Sequence, residues 1–200
     1  MITINGSTYY KVALHQHTTI SDGRVTPEEL VAMYKASGYD AVAITDHWKY
    51  HKEDNIDGML ILAGCEYDTG IRNTIDGGVM HIVGIGMRER PELDKATNTR
   101  QEIIDEINRL GGIAVLAHPC WSLNSIDDAK ALCGFAACEI YNSCSEAHES
   151  QRAYSDHYID LLANAGIYHT IFATDDGHFY DGSDETKGFV YVKRTRKINV

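Results

Sequence analysis

No run of apolar residues in this chain is long enough to cross a bilayer, and residues 1–6 have neither the basic nor the apolar segment of a signal peptide. The sequence also lacks a Cys-x-x-Cys pair, because its five cysteines are irregularly spaced. This spacing argues against a zinc knuckle or a thioredoxin-type redox motif and favours free thiols in a reducing compartment. We therefore expect a cytoplasmic protein that does not enter a membrane.

Positive charge is also scarce. Lys and Arg number 18 against 29 Asp and Glu, which gives a formal net charge of −11. Because an extended nucleic acid is bound through concentrated Lys and Arg, we do not expect such a partner, whereas a short oligonucleotide is compatible with this charge. The 200 residues and the apolar fraction of 44% suit one globular domain over residues 1–200. Histidine, by contrast, is plentiful: there are ten, and it is the commonest metal ligand among side chains.

Short apolar runs alternate with helical patterns along the chain. The runs predict strands at 9–14, 41–44, 59–65, 79–84, 113–117, 136–141, 168–174 and 189–192. Helices are predicted at 27–37, 99–110, 125–133 and 146–165, the first capped by Thr26. Such alternation indicates parallel pairing, and we expect an α/β fold, a distorted (β/α)7 TIM-like barrel. The alternation of strands and helices is also compatible with a doubly wound sheet, but a barrel brings ligands from six strands to one point more naturally.

Nine potential metal ligands lie in or directly after these strands. They are His15, His17, Asp22, His47, Glu66, His81, His118, Asp176 and His178. Because strand side chains alternate, His15 and His17 project to one side and Gln16 to the other. A lone histidine such as His81 would more often be an ordinary core residue. The joint arrangement indicates a metal site, since burying so many titratable groups without cations would be costly.

Imidazole and carboxylate ligands without thiolate suit zinc, manganese or iron(II), and paired ions of this kind serve hydrolysis. The motifs that carry these ligands are His15-Gln16-His17 with Ser21-Asp22-Gly23, Thr45-Asp46-His47, Gly64-Cys65-Glu66, His81, Ala117-His118-Pro119 and Asp176-Gly177-His178. In content and order, this series resembles the PHP (polymerase and histidinol phosphatase) superfamily of metal-dependent phosphoesterases. The resemblance implies a distorted barrel of seven strand–helix units that holds two or three divalent metal ions.

Carried over residue by residue, the resemblance implies three ligand sets. His15, His17, Glu66 and Asp176 would hold one ion, and Glu66, His81 and His118 a second, so that Glu66 bridges the two. Asp22, His47 and His178 would hold a third ion or, without it, act as catalytic groups in proton transfer or orientation. The expected reaction is hydrolysis of a small phosphate ester, a phosphomonoester or short nucleotide, by attack of a metal-bridging hydroxide. Some nucleotide-cleaving relatives carry a helical insertion between the strands bearing His81 and His118, which this chain lacks.

Contacts to the substrate are less well indicated. Arg24, Arg72 and Arg152 are candidates to bind phosphate, although such residues are more often solvated surface charges. Asn142 follows a strand and is a candidate to support a ligand or contact the substrate. Two alternatives remain for the whole protein: a metal-dependent amidohydrolase-type enzyme, and a non-catalytic module stabilised by metal. The nine ligands argue against the second, because a purely structural site needs fewer.

Overall fold

The computed structural model describes residues 1–70, 78–182 and 184–195, without the side chains of 147–149. The strands are β1 (Ile2–Ile4), β2 (Ser7–Ala13), β3 (Ala41–Ala43), β4 (Asp54–Ile56), β5 (Met59–Leu62), β6 (Gly64–Thr69), β7 (Met80–Ile85), β8 (Ile113–Leu116), β9 (Phe135–Asn142), β10 (Thr170–Thr174) and β11 (Val190–Lys193). The helices are α1 (Pro27–Ala36), α2 (Arg100–Arg109), α3 (Pro119–Ser122), α4 (Ile126–Lys130) and α5 (Asp156–Asn164), and a π-helical segment occupies Ser145–Ser150. The fold is mixed α/β.

The helix starts follow from local capping chemistry. At α1 the Thr26 hydroxyl accepts from the amide of Glu29, and the Glu29 carboxylate accepts from the amide of Thr26 at 2.8 Å. Thr99 and Glu102 form the same capping box at α2. Each box satisfies amides that the first turn would otherwise leave unpaired. These two predicted helices are confirmed.

The predicted helix over 146–165 is wrong as a single element. The π-helical segment ends at Ser150 and is followed by Gln151, whose φ of 57° lies in the left-handed region, and α5 begins only at Asp156. Between them Tyr154 forms a bridge to Tyr141 on β9. Extended pairing with a strand thus interrupts a stretch whose local pattern favours a helix.

Two sheets carry the strands. The first has the order β1-β2-β3-β5-β4, with β11 also paired to β2, and the second has the order β10-β9-β8-β7-β6. Among the described residues, isolated bridges rather than ladders connect the two sheets: from His47 to Glu66, from His51 to Gly64 and from Gln16 to Gly177. Within the described residues the ladders therefore do not close, and the expected closed barrel is not confirmed.

The direction of β7 corrects the expectation of parallel pairing. This strand is antiparallel to both β6 and β8, whereas β8 and β9 are parallel. A strand that runs in the opposite direction presents its start, not its end, to the edge where its neighbours finish. His81, the second residue of β7, therefore reaches that edge from the beginning of its strand.

The core packs on the faces of both sheets. One cluster joins α2 to the second sheet through Ile103, Ile104 and Ile107, and another packs α1 on the first sheet. Cys65 is buried in the first cluster, as its position next to Glu66 on a strand predicts. Among the described residues, every helix is too short or too polar to span a bilayer.

Candidate metal centre

The nine predicted ligands come together at one end of the two sheets. His15 and His17 follow β2, His47 follows β3, and Glu66 lies on β6. His81 is the second residue of β7, His118 follows β8, and Asp176 and His178 follow β10. Together with Asp22 from the loop after His17, most of them line a cavity of about 730 Å³.

The most deeply buried group is His15, His17, Glu66 and Asp176. Both Nε2 atoms of the histidines lie 3.0–3.2 Å from Glu66 Oε2 and from Asp176 Oδ1. One ligand atom from each of the four residues falls within 4.8 Å of the others. The group has the composition and the spacing of a site that could hold a divalent ion.

Glu66 also joins this group to its neighbours. Its second oxygen, Oε1, lies 2.9 Å from His81 Nδ1 and 3.4 Å from His118 Nε2. His47 Nδ1 approaches Oε2 at 3.2 Å. Every one of these histidines comes from a different strand or strand end, so Glu66 is the geometric centre of the cluster.

A third group is more open to solvent. Asp22 Oδ2 lies 3.6 Å from His47 Nε2 and 3.5 Å from His178 Nε2, and Asp22 Oδ1 lies 3.5 Å from His17 Nδ1. The Asp22 side chain is 48% exposed, against 1% for Glu66. A metal ion here would be held less tightly than one beside Glu66, because water screens its ligands and competes with them.

Several buried polar atoms in the cluster have no hydrogen-bond partner. They include Glu66 Oε2, Asp176 Oδ1 and His47 Nδ1. Leaving such atoms unpaired is costly, and buried polar atoms nearly always find a partner. The unpaired atoms face one another, which is the arrangement that a bound cation would satisfy. The donor set thus fits divalent metal ions.

Charges in the cluster shift one another's protonation. Burial disfavours the charged forms of Glu66 and Asp176, but neighbouring histidines hold the pKa of both carboxylates well below the usual range. In turn, despite burial, Glu66, Asp68 and Asp22 raise the pKa of His47 to about 9, and Asp22 and Asp176 raise the pKa of His178 to about 9. In the metal-free protein, the positive charge of the protonated imidazoles balances the carboxylates, as bound cations would.

Two of the clustered residues have unusual backbone conformations. His118 has a φ of 26° and Asp176 a φ of 54°, both in the left-handed region that non-glycine residues seldom adopt. Strained conformations of this kind persist where the surroundings over-determine them, and they concentrate at functional sites. Here they turn each side chain from the end of its strand towards Glu66.

Several residues outside the nine predicted ligands support the cluster. Asp46 holds the loop after His17: it accepts from the Thr18 amide at 2.7 Å and from the Ser21 hydroxyl at 2.6 Å. Glu139, buried in the middle of β9, accepts from His15 Nδ1 at 2.7 Å. The position of Asp46 inside a ligand motif was a usable signal, but nothing local distinguishes Glu139.

The candidate substrate contacts have different outcomes. Arg24 and Arg152 are exposed and do not line the cavity. Each donates instead to a backbone carbonyl oxygen of a residue that lines it, Arg24 to Tyr180 and Arg152 to Trp121. Arg72 lies outside the described residues. Asn142 is 1% exposed and donates to Glu139 and Asp176, so its contacts are those of a ligand-supporting residue. Lys95 lines the cavity as well and pairs with Asp68.

Fold and site together define a mixed α/β protein with a centre rich in histidine and carboxylate, suited to divalent metal ions. The chain belongs to the PHP domain family, whose model matches residues 13–181. It is 29% identical over 125 residues to a 5'-3' exoribonuclease of Haemophilus influenzae, a match that covers 61% of this chain and 45% of that protein. The chain therefore spans less than half the length of this curated relative.

Solved structures share the fold. A two-domain protein from Bacteroides vulgatus, containing a predicted PHP-like metal-dependent phosphoesterase, has a TM-score of 0.61 at 21% identity, over 87% of this chain and 53% of its own. A protein from Bifidobacterium adolescentis assigned as a metal-dependent phosphoesterase has a TM-score of 0.61 at 15% identity, over 89% of this chain and 90% of its own. An amidohydrolase from Chromobacterium violaceum, with bound sulfate and no metal, has a TM-score of 0.56 at 17% identity, over 86% of this chain and 89% of its own.

Proposed function

We propose that this protein is a metal-dependent phosphoesterase that hydrolyses a small phosphate ester, a phosphomonoester or a short nucleotide, and that residues 1–200 form its single domain. The observation that carries the proposal is the group of buried, unpaired ligand atoms around Glu66, at the base of a cavity open to solvent. A site that served stability alone would be closed and would need fewer ligands. An accessible one leaves room for a substrate.

Three ligand sets would hold the ions. His15, His17, Glu66 and Asp176 form the first, and Glu66 with His81 and His118 forms the second. Asp22, His47 and His178 form the third, which is the most exposed. Zinc, manganese and iron(II) all suit these nitrogen and oxygen donors. When bound, such ions supply Lewis-acid chemistry: they make hydroxide available near neutral pH and neutralise charge on phosphate oxygens.

The chain's own residues divide into binding and proton-transfer roles. The carboxylates of Glu66 and Asp176 line the cavity, where they would hold the ions that attract an anionic substrate. If the third set holds no ion, His47 and His178 are left at the cavity wall beside Asp22. There they could protonate a departing alkoxide or orient the attacking water.

The size and lining of the cavity support a small substrate. Its rim carries two aromatic residues: Trp121 packs against His118 at a ring distance of 4.9 Å, and Tyr180 stacks on His178 at 5.1 Å. Aromatic faces of this kind accommodate a sugar or a base. The exoribonuclease of Haemophilus influenzae supports a short nucleotide as one candidate.

A second candidate, hydrolysis of a carbon–nitrogen bond, has one specific observation in its favour. The Chromobacterium violaceum structure that shares this fold is called an amidohydrolase. The two reactions need the same metal chemistry, so only turnover distinguishes them.

The test is turnover of an aryl phosphate monoester and an aryl phosphate diester by protein loaded separately with zinc, manganese or iron(II). We expect metal-dependent release of the aryl alcohol from at least one of them, and loss of that release in Glu66→Ala. Glu53→Ala, at an exposed position, is the matched control and should retain activity. If no loaded form turns over either ester, or if Glu66→Ala is as active as the control, the proposal fails.

A further inference from the structure

Glu139 is a carboxylate buried beneath the metal-binding cluster, outside the nine-residue ligand set. It lies in β9 and is 1% exposed. Both of its oxygens are occupied by the protein itself: Oε1 lies 2.7 Å from His15 Nδ1, and Oε2 accepts from the His118 amide at 2.8 Å and from Asn142 Nδ2 at 2.9 Å. A buried carboxylate with both oxygens directed at structural partners is a costly feature to retain without a purpose.

The contact with His15 fixes which nitrogen of that ring can bind a metal. With Nδ1 donating its proton to Glu139, the lone pair of the neutral ring is left on Nε2. That Nε2 atom lies 3.2 Å from both Glu66 Oε2 and Asp176 Oδ1. The carboxylate also increases the electron density of the imidazole, as it does in other metal sites where a carboxylate supports a histidine ligand.

The contact with His118 acts on the backbone. The His118 amide donates to Glu139 Oε2. His118 itself has a φ of 26°, which few non-glycine residues adopt. A charge-assisted hydrogen bond at this amide compensates for the unfavourable conformation. Glu139 thereby orients the His118 ring, whose Nε2 atom reaches Glu66 Oε1.

Asn142 extends the same support to Asp176. Its Nδ2 group donates to Glu139 Oε2 and, at 3.2 Å, to Asp176 Oδ2. Its Oδ1 atom accepts from the amide of Ser145 at 3.0 Å, and because that amide can only donate, the orientation of the Asn142 side chain is settled. The pair therefore contacts predicted ligands from three strand ends: His15, His118 and Asp176.

We propose that Glu139 and Asn142 are positioning residues that set the metal affinity of the centre by fixing His15, His118 and Asp176 in their binding geometry. The inference rests on the metal-dependent function proposed above, since it assumes that these three residues bind ions. It adds that a buried pair in β9, which does not line the cavity, controls how tightly the ions are held.

The experiment is a competition titration of metal-stripped protein with zinc and a chromophoric chelator, together with the visible absorption spectrum of the cobalt(II) form. Glu139→Gln keeps the shape of the side chain but presents an amide donor to groups that need an acceptor. We expect its zinc affinity to fall by about 10–100-fold, with an altered cobalt spectrum. Glu146→Gln, the same change at an exposed position near β9, should bind zinc like the wild type.

A second variant covers the case in which Glu139→Gln does not fold. Asn142→Ala removes the hydrogen bonds to Glu139 and Asp176 and those that Asn142 accepts from Ser145, but it leaves the contacts of Glu139 with His15 and His118 in place. We expect a smaller fall in affinity, roughly threefold to tenfold. If a folded Glu139→Gln, or Asn142→Ala in its place, binds zinc with wild-type affinity and spectrum, the positioning role is refuted. A lower melting temperature alone would indicate an ordinary structural role and would also refute it.

These readouts separate the inference from the proposed function. Affinity and spectrum report on the ligands without any substrate. If wild-type protein binds zinc tightly but hydrolyses no phosphate ester, the phosphoesterase proposal fails while the effect of Glu139→Gln can still be measured. If wild-type protein binds no zinc or cobalt, the inference fails at its first step.

Discussion

Raising the pH should strengthen metal binding by the set of Asp22, His47 and His178 steeply up to about pH 9. In the metal-free protein, although burial opposes protonation, carboxylate neighbours raise the pKa values of His47 and His178 to about 9. Each ring is therefore protonated at pH 7, whereas only a neutral imidazole can bind a metal. Every ion that takes one of these rings must displace a proton.

The size of the effect follows from the distance between the working pH and the pKa. For a ring with a pKa of about 9, protonation at pH 7 weakens metal binding roughly a hundredfold compared with the neutral ring, and the penalty disappears above about pH 9. Mutual coupling among the carboxylates makes the combined effect of two rings smaller than the product of the two penalties.

Isothermal titration calorimetry of the metal-stripped protein in buffers of different ionisation enthalpy measures the protons released. We expect at least one proton released at pH 7 for the ion that binds His47 and His178, and release that declines as the pH passes 9. An affinity that stays constant from pH 7 to pH 9, with no buffer dependence of the heat, would refute the charge balance described for the centre.

Three further predictions address the fold around the site. The metal-free protein should lose stability to urea as the pH rises from 6.5 to 9, because histidines whose folded-state pKa is raised stabilise the fold only while they stay protonated; stability that does not fall over this range would contradict this. Burial raises the pKa of Cys65 to about 12, so a haloacetamide at pH 8 should modify exposed Cys133 and spare Cys65 in the folded protein, as peptide mass spectrometry would report. Gly23→Ala should cost about 1–3 kcal/mol in the free energy of unfolding and weaken metal binding, because an added Cβ would lie 2.5 Å from the carbonyl oxygen of His17. Gly78→Ala, where a Cβ has open space, is its control, and equal unfolding midpoints for the two variants would contradict the steric argument.

The alternation of side chains along a strand is what makes much of the site predictable. His15 and His17 share a side while Gln16 turns into the core, where its Oε1 accepts from the Tyr34 hydroxyl at 2.6 Å. The same reasoning places Cys65 in the core beside Glu66. Local periodicity also predicts α1 and α2, since each begins with a capping box that the sequence displays.

What the sequence does not reveal depends on pairing between distant segments. A strand has the same local pattern whether its neighbours run parallel or antiparallel to it, so the reversed direction of β7 has no signature near His81. Glu139 resembles any polar residue on a strand until β2 and β8 bring His15 and His118 against it. Likewise, Tyr154 breaks a helical pattern only because Tyr141 is there to pair with it.

We propose that the Glu66 carboxylate joins the ions of one metal centre. Anomalous scattering from crystals of metal-loaded protein, measured on both sides of the absorption edge of the metal, locates those ions. We expect two strong peaks, one beside each oxygen of Glu66, with any third peak weaker and surrounded by Asp22, His47 and His178. A single peak away from Glu66, or no peak within reach of its carboxylate, would show that Glu66 does not join the ions.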